Sequence, residues 1–319
     1  MTADAFRISL GDLREGTVVD RPNRFVAIVL LDGKEVRCHV ADSGRLKELI
    51  FPGNRVMVRD VGEGRERAGA GKAMPPRKTS FDLVLAAAPP SCGSRGRAME
   101  APCSERFERG RADRGGTTWV SVDTRYPTKL FGQVLRARGV PDFAEYDVVR
   151  AEYSLRGYER KDGDTSATGS PDEGSAGEGL VDGKKPGAQA PEADRVRKEP
   201  TSRFDFYLEG PGVAPALVEV KSVTLCVNGK GLFPDAPTAR GARHVRELAG
   251  AVSAGYRAYV VFIAQRDDIQ TVSPNPRTDP KFAAALAEAT GAGVRLLAYR
   301  CKVTPKEIVF DPTLLPVIL

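Results

Sequence analysis

Two runs in the second half of the chain alternate apolar and polar residues with the period of half-buried strands: Arg203-Phe204-Asp205-Phe206-Tyr207-Leu208 and Leu217-Val218-Glu219-Val220-Lys221-Ser222-Val223. The intervening Glu209-Gly210-Pro211-Gly212-Val213-Ala214-Pro215 has the Gly and Pro density of a turn. The pattern predicts an antiparallel hairpin folded about Gly212, in which Asp205 lies opposite Glu219 and Lys221 shares their face. Phe204, Phe206, Val218 and Val220 then bury the other face. Nearer the start, Arg24 to Leu31 and Glu35 to Val40 flank Asp32-Gly33, a strong hairpin signal, and Arg55 to Arg59 follows Pro52-Gly53. Short strands in so small a segment predict a compact barrel of the oligonucleotide-binding (OB) type, or else a small open sheet packed on a second domain.

Beyond the hairpin the pattern switches between helix and strand. Thr238 caps a helix whose apolar stripe is Val245, Leu248, Ala249 and Val252, ending near Gly255. Tyr256 to Ala264 is a nearly continuous apolar run, the mark of a strand covered on both faces. Phe282 to Thr290 reads as a second helix and Val294 to Cys301 as a further strand. Val149, Ala151, Tyr153 and Leu155 alternate with Arg150, Glu152, Ser154 and Arg156, which gives a strand with Glu152 on its polar face. The fold class is α/β: an all-β OB-like barrel over residues 1–88, then a domain over 117–319 with a mixed sheet flanked by helices. Three segments interrupt it. Residues 61–77, 89–116 and 159–202 are rich in Gly with Arg, Ser, Ala or mixed charge, and the last has no aromatic residue. Such segments bury too little apolar surface to offset ordering entropy, so disordered insertions are expected there.

With 319 residues and 41% hydrophobic content, the chain can bury a full core. A net charge of +6 and a pI near 9.1 suit a polyanionic partner, or simply a solvated surface. The five cysteines (38, 92, 103, 226 and 301) form no Cys-x-x-Cys pair, and two histidines offer little for structural zinc. Cys38, Cys226 and Cys301 sit among apolar residues and read as reduced thiols of a cytosolic protein. No basic region followed by an apolar run opens the chain, and no stretch spans a bilayer, so the expected location is cytoplasmic with no membrane partner.

The hairpin carries the candidate chemistry. Opposed carboxylates with Cα atoms roughly 5 Å apart repel each other. A divalent cation removes that penalty, and Mg²⁺ typically takes one or two carboxylates plus phosphate oxygens and water. The same residues also fit an exposed strand face on which Glu219 and Lys221 form a weak surface pair.

Other residues carry a family resemblance. Ser222-Val223-Thr224 after Glu219-Val220-Lys221, then Gly231-Leu232-Phe233-Pro234-Asp235-Ala236-Pro237-Thr238, Arg240-Gly241, His244 and Arg246-Glu247-Leu248 resemble the bacterial sugar fermentation stimulation protein A (SfsA) family. The likeness extends to Arg21-Pro22-Asn23-Arg24-Phe25, Asp42-Ser43-Gly44-Arg45-Leu46, Pro52-Gly53, Arg203-Phe204-Asp205-Phe206 and Gln265-Arg266. One departure is Val40-Ala41-Asp42, where the family usually has Cys-Pro-Asn; Asp42 puts a charge where the family has a neutral amide. The resemblance implies an OB-like barrel followed by a domain similar to PD-(D/E)xK nucleases, in a family described as non-specific DNA-binding proteins linked to maltose metabolism. The nuclease pattern maps onto Asp205, Glu219 and Lys221, with Glu152 as the matching extra acid.

On this reading Asp205 and Glu219 hold Mg²⁺ or Mn²⁺, and Lys221 orients a water or offsets phosphoryl charge. Gln265 either positions the site or bonds the strand end. His244, placed on a helix face with Arg240, Arg243 and Glu247, reads as a surface or phosphate-facing group. Arg240 and Arg243 in the first turns of that helix, and Arg21, Arg24 and Arg45 of the barrel, are candidate DNA phosphate contacts or solvated basic residues. Phe25 reads as core rather than as a stacking platform. The competing class is a non-catalytic DNA-binding regulator that binds equally without metal. A sugar-metabolising enzyme finds no phosphate loop or dinucleotide fingerprint.

Overall fold

The structure, a computed structural model, describes residues 6–62, 79–89, 116–154 and 203–319. The three expected insertions lie, apart from their edges, outside the described residues, as do Cys92 and Cys103. In chain order the strands and helices are β1 (Arg7–Ser9), β2 (Arg14–Asn23), β3 (Val26–Leu31), β4 (Lys34–Val40), β5 (Arg55–Asp60), β6 (Phe81–Ala87), β7 (Trp119–Ser121), α1 (Arg125–Arg136) and β8 (Val148–Ser154). There follow β9 (Arg203–Glu209), β10 (Ala216–Val223), β11 (Leu225–Val227), β12 (Lys230–Phe233), α2 (Ala239–Ser253), β13 (Arg257–Ala264), β14 (Thr271–Pro274), α3 (Pro280–Gly291), β15 (Arg295–Val303) and β16 (Glu307–Asp311).

Strands β2 to β6 form the OB-like barrel. Hydrogen bonding runs β4–β3–β2–β5–β6, and a parallel pairing of β6 with β4 closes the ring. Closure removes the exposed edges that an open sheet would leave. Inward residues such as Val18, Val29, Val40, Val56 and Leu83 are buried, and Cys38 is a free thiol among them. The turn between β2 and β3 falls at Arg24 and Phe25, two residues that the apolar pattern had assigned to a strand.

The second sheet has the order β1-β16-β15-β13-β10-β9-β8. Its centre, β10-β13-β15, is parallel and its edges antiparallel. The β9–β10 register pairs Phe206 with Val218 and Leu208 with Ala216, so the hairpin is symmetric about Gly212 as its sequence suggests. Strand β1, inside the span assigned to the barrel, instead pairs with β16 at the edge of this sheet. Helix α1 covers one face, where Leu130, Phe131, Val134 and Leu135 meet Phe206, Val218, Val220 and Tyr299. Helices α2 and α3 cover the other, with Val245, Leu248, Phe282 and Leu286 against Leu217, Val260 and Phe262. The sheet is therefore buried on both sides, and its alternation marks core against core. Phe204 packs on the α2 side, opposite to Phe206, so the expected grouping of those two rings on one face does not hold.

Direct contacts fasten the barrel to the second sheet. Ser121 N donates to Gln265 O at 3.0 Å, Leu46 N to Asp235 Oδ2 at 2.9 Å, and Thr124 Oγ1 to Ala41 O at 2.9 Å. No helix among the described residues is long and apolar enough to cross a membrane.

Phe131 joins α1 to the sheet: it is fully buried, edge-on to Phe143 at 5.6 Å and within 6.1 Å of the rings of Tyr299 and Phe310. Truncating it leaves a cavity bounded by aromatic rings that cannot collapse into it. Phe131→Ala is expected to lower unfolding free energy by about 3–5 kcal/mol, read by urea denaturation. A loss below about 1 kcal/mol would mean that α1 is not a structural layer of the core.

Candidate functional site

Glu219 lies at the centre of β10, between β9 and β13, and is only 5% exposed. A carboxylate there needs compensation, because burial disfavours its charge. Two groups supply it. Lys221 Nζ donates to Glu219 Oε1 at 2.7 Å, and His244 Nδ1 meets the same oxygen at 2.6 Å. Arg240 Nε donates to His244 Nε2 at 3.3 Å, so Nδ1 is the ring nitrogen that bears hydrogen and donates to Glu219. Burial pushes the Glu219 carboxyl up, but Lys221 and His244 outweigh it and hold the group below its ordinary range. Its second oxygen, Oε2, is buried with no hydrogen-bond partner.

The β9–β10 ladder ends at Phe206 and Val218, one residue short of Asp205 and Glu219, and Asp205 Oδ2 accepts from Val220 N at 2.8 Å. Burial and the nearby Glu219 charge raise its pKa from 3.8 to about 6, against the pull of the Val220 N–H, Lys221 and His244. The two carboxylates have thus been pushed in opposite directions: Glu219 is the ionised partner and Asp205 the one that holds a proton to higher pH. That separation is common where acidic groups share a functional site.

Lys221 connects this cluster to the surface. A cleft of about 690 Å³ separates the barrel from the second sheet, and Lys221, Ser222 and Thr224 line one wall with Thr124, Thr128 and the segment Phe233–Thr238. The opposite wall comes from the barrel: Arg24, Asp42, Ser43, Gly44 and Arg45. Arg21 braces this wall. Its guanidinium donates to the carbonyls of Arg24 (3.1 Å), Gly44 (3.2 Å) and Arg45, clamping the β2–β3 turn to the loop after β4. Asp42 Oδ1 accepts from Gly44 N at 2.6 Å; burial first, then the neighbouring Asp235 and Asp123 charges, raise its pKa to about 6 against Gly44 N–H and Arg21. Gly44 permits this packing, since a Cβ there would sit 2.6 Å from Asp235 and 2.9 Å from Asp42.

Several residues singled out from the sequence occupy other places. His244 is buried at 3% exposure instead of facing solvent. Its spacing to Leu248 and Ala251 puts it on the edge of the apolar stripe of α2, a signal that grouping it with Arg240, Arg243 and Glu247 obscures. Glu152 has a left-handed backbone (φ 54°) and is 71% exposed, paired with Arg203 at 3.4 Å and not with the cluster. Gln265 is fully buried, and its Nε2 lies 4.0 Å from Cys301 Sγ, on the α1 side of the sheet and away from Glu219. Arg21 is a clamp between loops, its guanidinium pushed below its ordinary pKa by burial. Arg24, Arg45, Arg240 and Arg243 are exposed, Arg243 with a 3.7 Å pair to Glu247. Phe25 is 44% exposed and not core. Thr124 and Thr128 line the cleft without any sequence signal of their own, and Ser222 was visible only within the family-like Ser-Val-Thr run. Asp235 was visible only within the family-like Phe-Pro-Asp run.

Asp205 gives this arrangement a pH signature. Its folded pKa lies above the unfolded value near 3.8, so the ionised form destabilises the fold, and stability falls as pH rises from below 3.8 through about 6. At about 1.4 kcal/mol per unit, the penalty at pH 8 is at most about 3 kcal/mol. Asp205→Asn keeps an acceptor for Val220 N and removes the charge. It is expected to stabilise the metal-free protein in urea melts at pH 8 and to lose that advantage at pH 3.5; a gain independent of pH would contradict the geometry.

Comparison with known proteins gives the chain its relatives. Residues 178–307 match the sugar fermentation stimulation protein RE domain family and residues 19–92 the SfsA N-terminal OB domain family. The sugar fermentation stimulation protein homolog of Symbiobacterium thermophilum is 38% identical over 304 residues, covering 93% of this chain and 92% of that protein. The homolog from Moorella thermoacetica is 34% identical, with 92% of each chain covered. In three dimensions the chain is similar to Pyrococcus furiosus SfsA, solved in complex with Ca²⁺, with a TM-score of 0.63, 22% identity and 98% of both chains covered. With two domain matches and full-length relatives above 30% identity, the chain belongs to the sugar fermentation stimulation protein (SfsA) family.

Proposed function

We propose that this protein binds DNA without sequence preference in the cleft between barrel and sheet, and that Asp205 and Glu219 form a Mg²⁺- or Mn²⁺-dependent phosphodiesterase site behind Lys221. The observation that carries the reading is the orphaned Glu219 Oε2, a buried anionic oxygen without a donor, beside a second carboxylate and next to a cleft lined by Lys221. A buried charge in that state costs several kcal/mol, and a hard cation is the ligand that removes the cost. The donor set of two carboxylates fits an ion that completes its shell with water and phosphate oxygens. The Ca²⁺ described for the Pyrococcus furiosus relative is also a hard, oxygen-seeking cation.

In this mechanism Glu219 and Asp205 would hold the metal, which when bound polarises a phosphate and lowers the pKa of water. His244 and Lys221 fix Glu219 Oε1, which leaves Oε2 as its free donor. Lys221 lines the cleft and offsets charge on the phosphoryl oxygens. Arg24 and Arg45 hold the backbone from the barrel side, with Arg240 and Arg243 at the start of α2 adding positive charge. Free thiols at Cys38, Cys226 and Cys301 agree with a cytoplasmic location.

One observation favours the second reading, a regulator of sugar metabolism that binds DNA without cleaving it. Asp205 and Glu219 are not among the residues lining the cleft, so Lys221 stands between them and a ligand seated there. Metal dependence separates the two readings. The test incubates fluorescein-labelled single- and double-stranded DNA with Mg²⁺, Mn²⁺ or EDTA, using the parent, Asp205→Asn and Lys221→Met. Cleavage is expected in the parent with metal and to fall at least about a hundredfold in both variants, while Mn²⁺ raises the melting temperature of the parent and not of Asp205→Asn. Equal activity in all three proteins, or no product and no thermal shift under any condition, leaves the binding-only reading.

Asp42 supplies a further test of where the DNA lies. It puts a negative charge on the barrel wall of the cleft, and that charge is lost as pH falls through about 6. Asp42→Asn still accepts from Gly44 N, and is expected to tighten DNA binding several-fold at pH 8 and less at pH 5.5, by fluorescence anisotropy at constant salt. No change at either pH places the DNA elsewhere.

A further inference from the structure

We infer that the β2–β3 turn is a base-stacking site, with Phe25 as the platform and Arg24 as its charged companion, and that the DNA engaged by the cleft is single-stranded. The inference rests on the DNA-binding reading above and goes beyond it in naming the strand form and the residue that reads it.

Phe25 is a large apolar side chain at a turn, 44% exposed, as Val19 and Leu30 of the barrel also are in part. Isolated exposed apolar residues are ordinary on protein surfaces. Three features set this one apart. The Arg24 guanidinium stands over its ring at 5.0 Å, so the ring is already in contact with the kind of cation that accompanies bases on aromatic platforms. The turn is held in place: Phe25 N donates to Asn23 Oδ1 at 2.9 Å, Val40 N donates to Phe25 O at 2.9 Å, and Arg21 clamps the Arg24 carbonyl to the Gly44–Arg45 loop. A fixed ring loses little entropy when a ligand stacks on it. Finally, the turn joins the first two strands of the barrel, and that loop is one of the recurrent oligonucleotide contacts of OB barrels.

Arg24 also lines the cleft. A strand stacked on Phe25 would therefore pass Arg24 and Arg45 before reaching Lys221, with phosphates meeting cations along the way. A duplex has its base faces covered by neighbouring pairs and offers Phe25 nothing to stack on, whereas an unpaired strand offers a face at every base. The cleft, about 690 Å³ in volume, has room for part of a single strand.

The test is fluorescence anisotropy in EDTA, so that no step depends on a bound metal, with a fluorescein-labelled oligothymidylate and a duplex of equal length. Parent, Phe25→Ala, Phe25→Tyr and Arg24→Ala are compared over a salt series. Phe25→Ala is expected to weaken single-strand binding roughly tenfold or more with an unchanged salt slope, because stacking releases no counterions. Phe25→Tyr should retain the affinity, and Arg24→Ala should lower the slope by about one ion. Duplex binding should be weaker in the parent and insensitive to Phe25. Single-strand affinity within twofold of parent for Phe25→Ala, or equal losses on both DNA forms, overturns the stacking site while leaving DNA binding intact. A parent that binds neither form overturns the DNA-binding reading itself and this inference with it.

Discussion

A carboxylate in the middle of a sheet covered on both faces is the constraint from which the rest of this site follows. Glu219 has β9 on one side, β13 on the other and α2 above it, so water cannot solvate its charge. Desolvation of that kind costs several kcal/mol unless donors are placed at hydrogen-bond distance. Lys221 two residues along β10 and His244 on α2 both reach Oε1, and Arg240 orients the His244 ring from the first turn of the same helix. The helix is thus tied to the sheet by polar bonds as well as by Val245 and Leu248. These donors satisfy one oxygen and leave the other bare. A sheet selected for stability alone would be better served by an apolar residue at 219, since buried ion pairs seldom outperform well-packed hydrophobic ones.

The barrel has a matching logic on the other wall. Arg21, Asp42 and Asp235 spend their hydrogen bonds on the backbone of the Gly44 loop and the β2–β3 turn, so these charged groups shape the wall and leave Arg24 and Arg45 exposed on it. Asp235 belongs to the second domain, and its bond to Leu46 N makes the width of the cleft depend on both domains at once. The short linker through Trp119–Thr124 adds further bonds to Ala41 and Gln265, which hold the two walls in one orientation.

Periodicity made the architecture legible where one face or one end of an element had a clear partner. The β9–β10 hairpin, with its register about Gly212, was readable because turn residues and alternation agreed; Thr238 was readable as a cap and does accept from Gly241 N at 3.0 Å. Strand β2 was not readable. Its ladder shifts register between Val18 and Asp20 and again between Asp20 and Asn23, which breaks the alternation, and it carries Gly16 and Pro22. Helix α1 was also missed: Pro127 in its first turn reads as a breaker, although Leu130, Phe131, Val134 and Leu135 have helical spacing. For the site, the pattern picked three side chains that the structure does bring together, but in the wrong environment. Alternation was taken to mean a polar outer face, yet with helices on both sides the polar positions are inside.

That difference changes what Lys221 does. On an exposed strand, Glu219 and Lys221 would form a screened pair worth little, and either could be lost without consequence. Inside the sheet the lysine is bonded to Glu219, and only its position at the cleft wall would let the same ammonium reach the phosphate proposed there. A ligand that draws Lys221 away leaves His244 as the sole donor to Glu219 and increases the need of its oxygens for a cation. In the proposed site, anion binding in the cleft and cation binding at the carboxylates would therefore be coupled in sign: each would favour the other, and by linkage the coupling would be reciprocal.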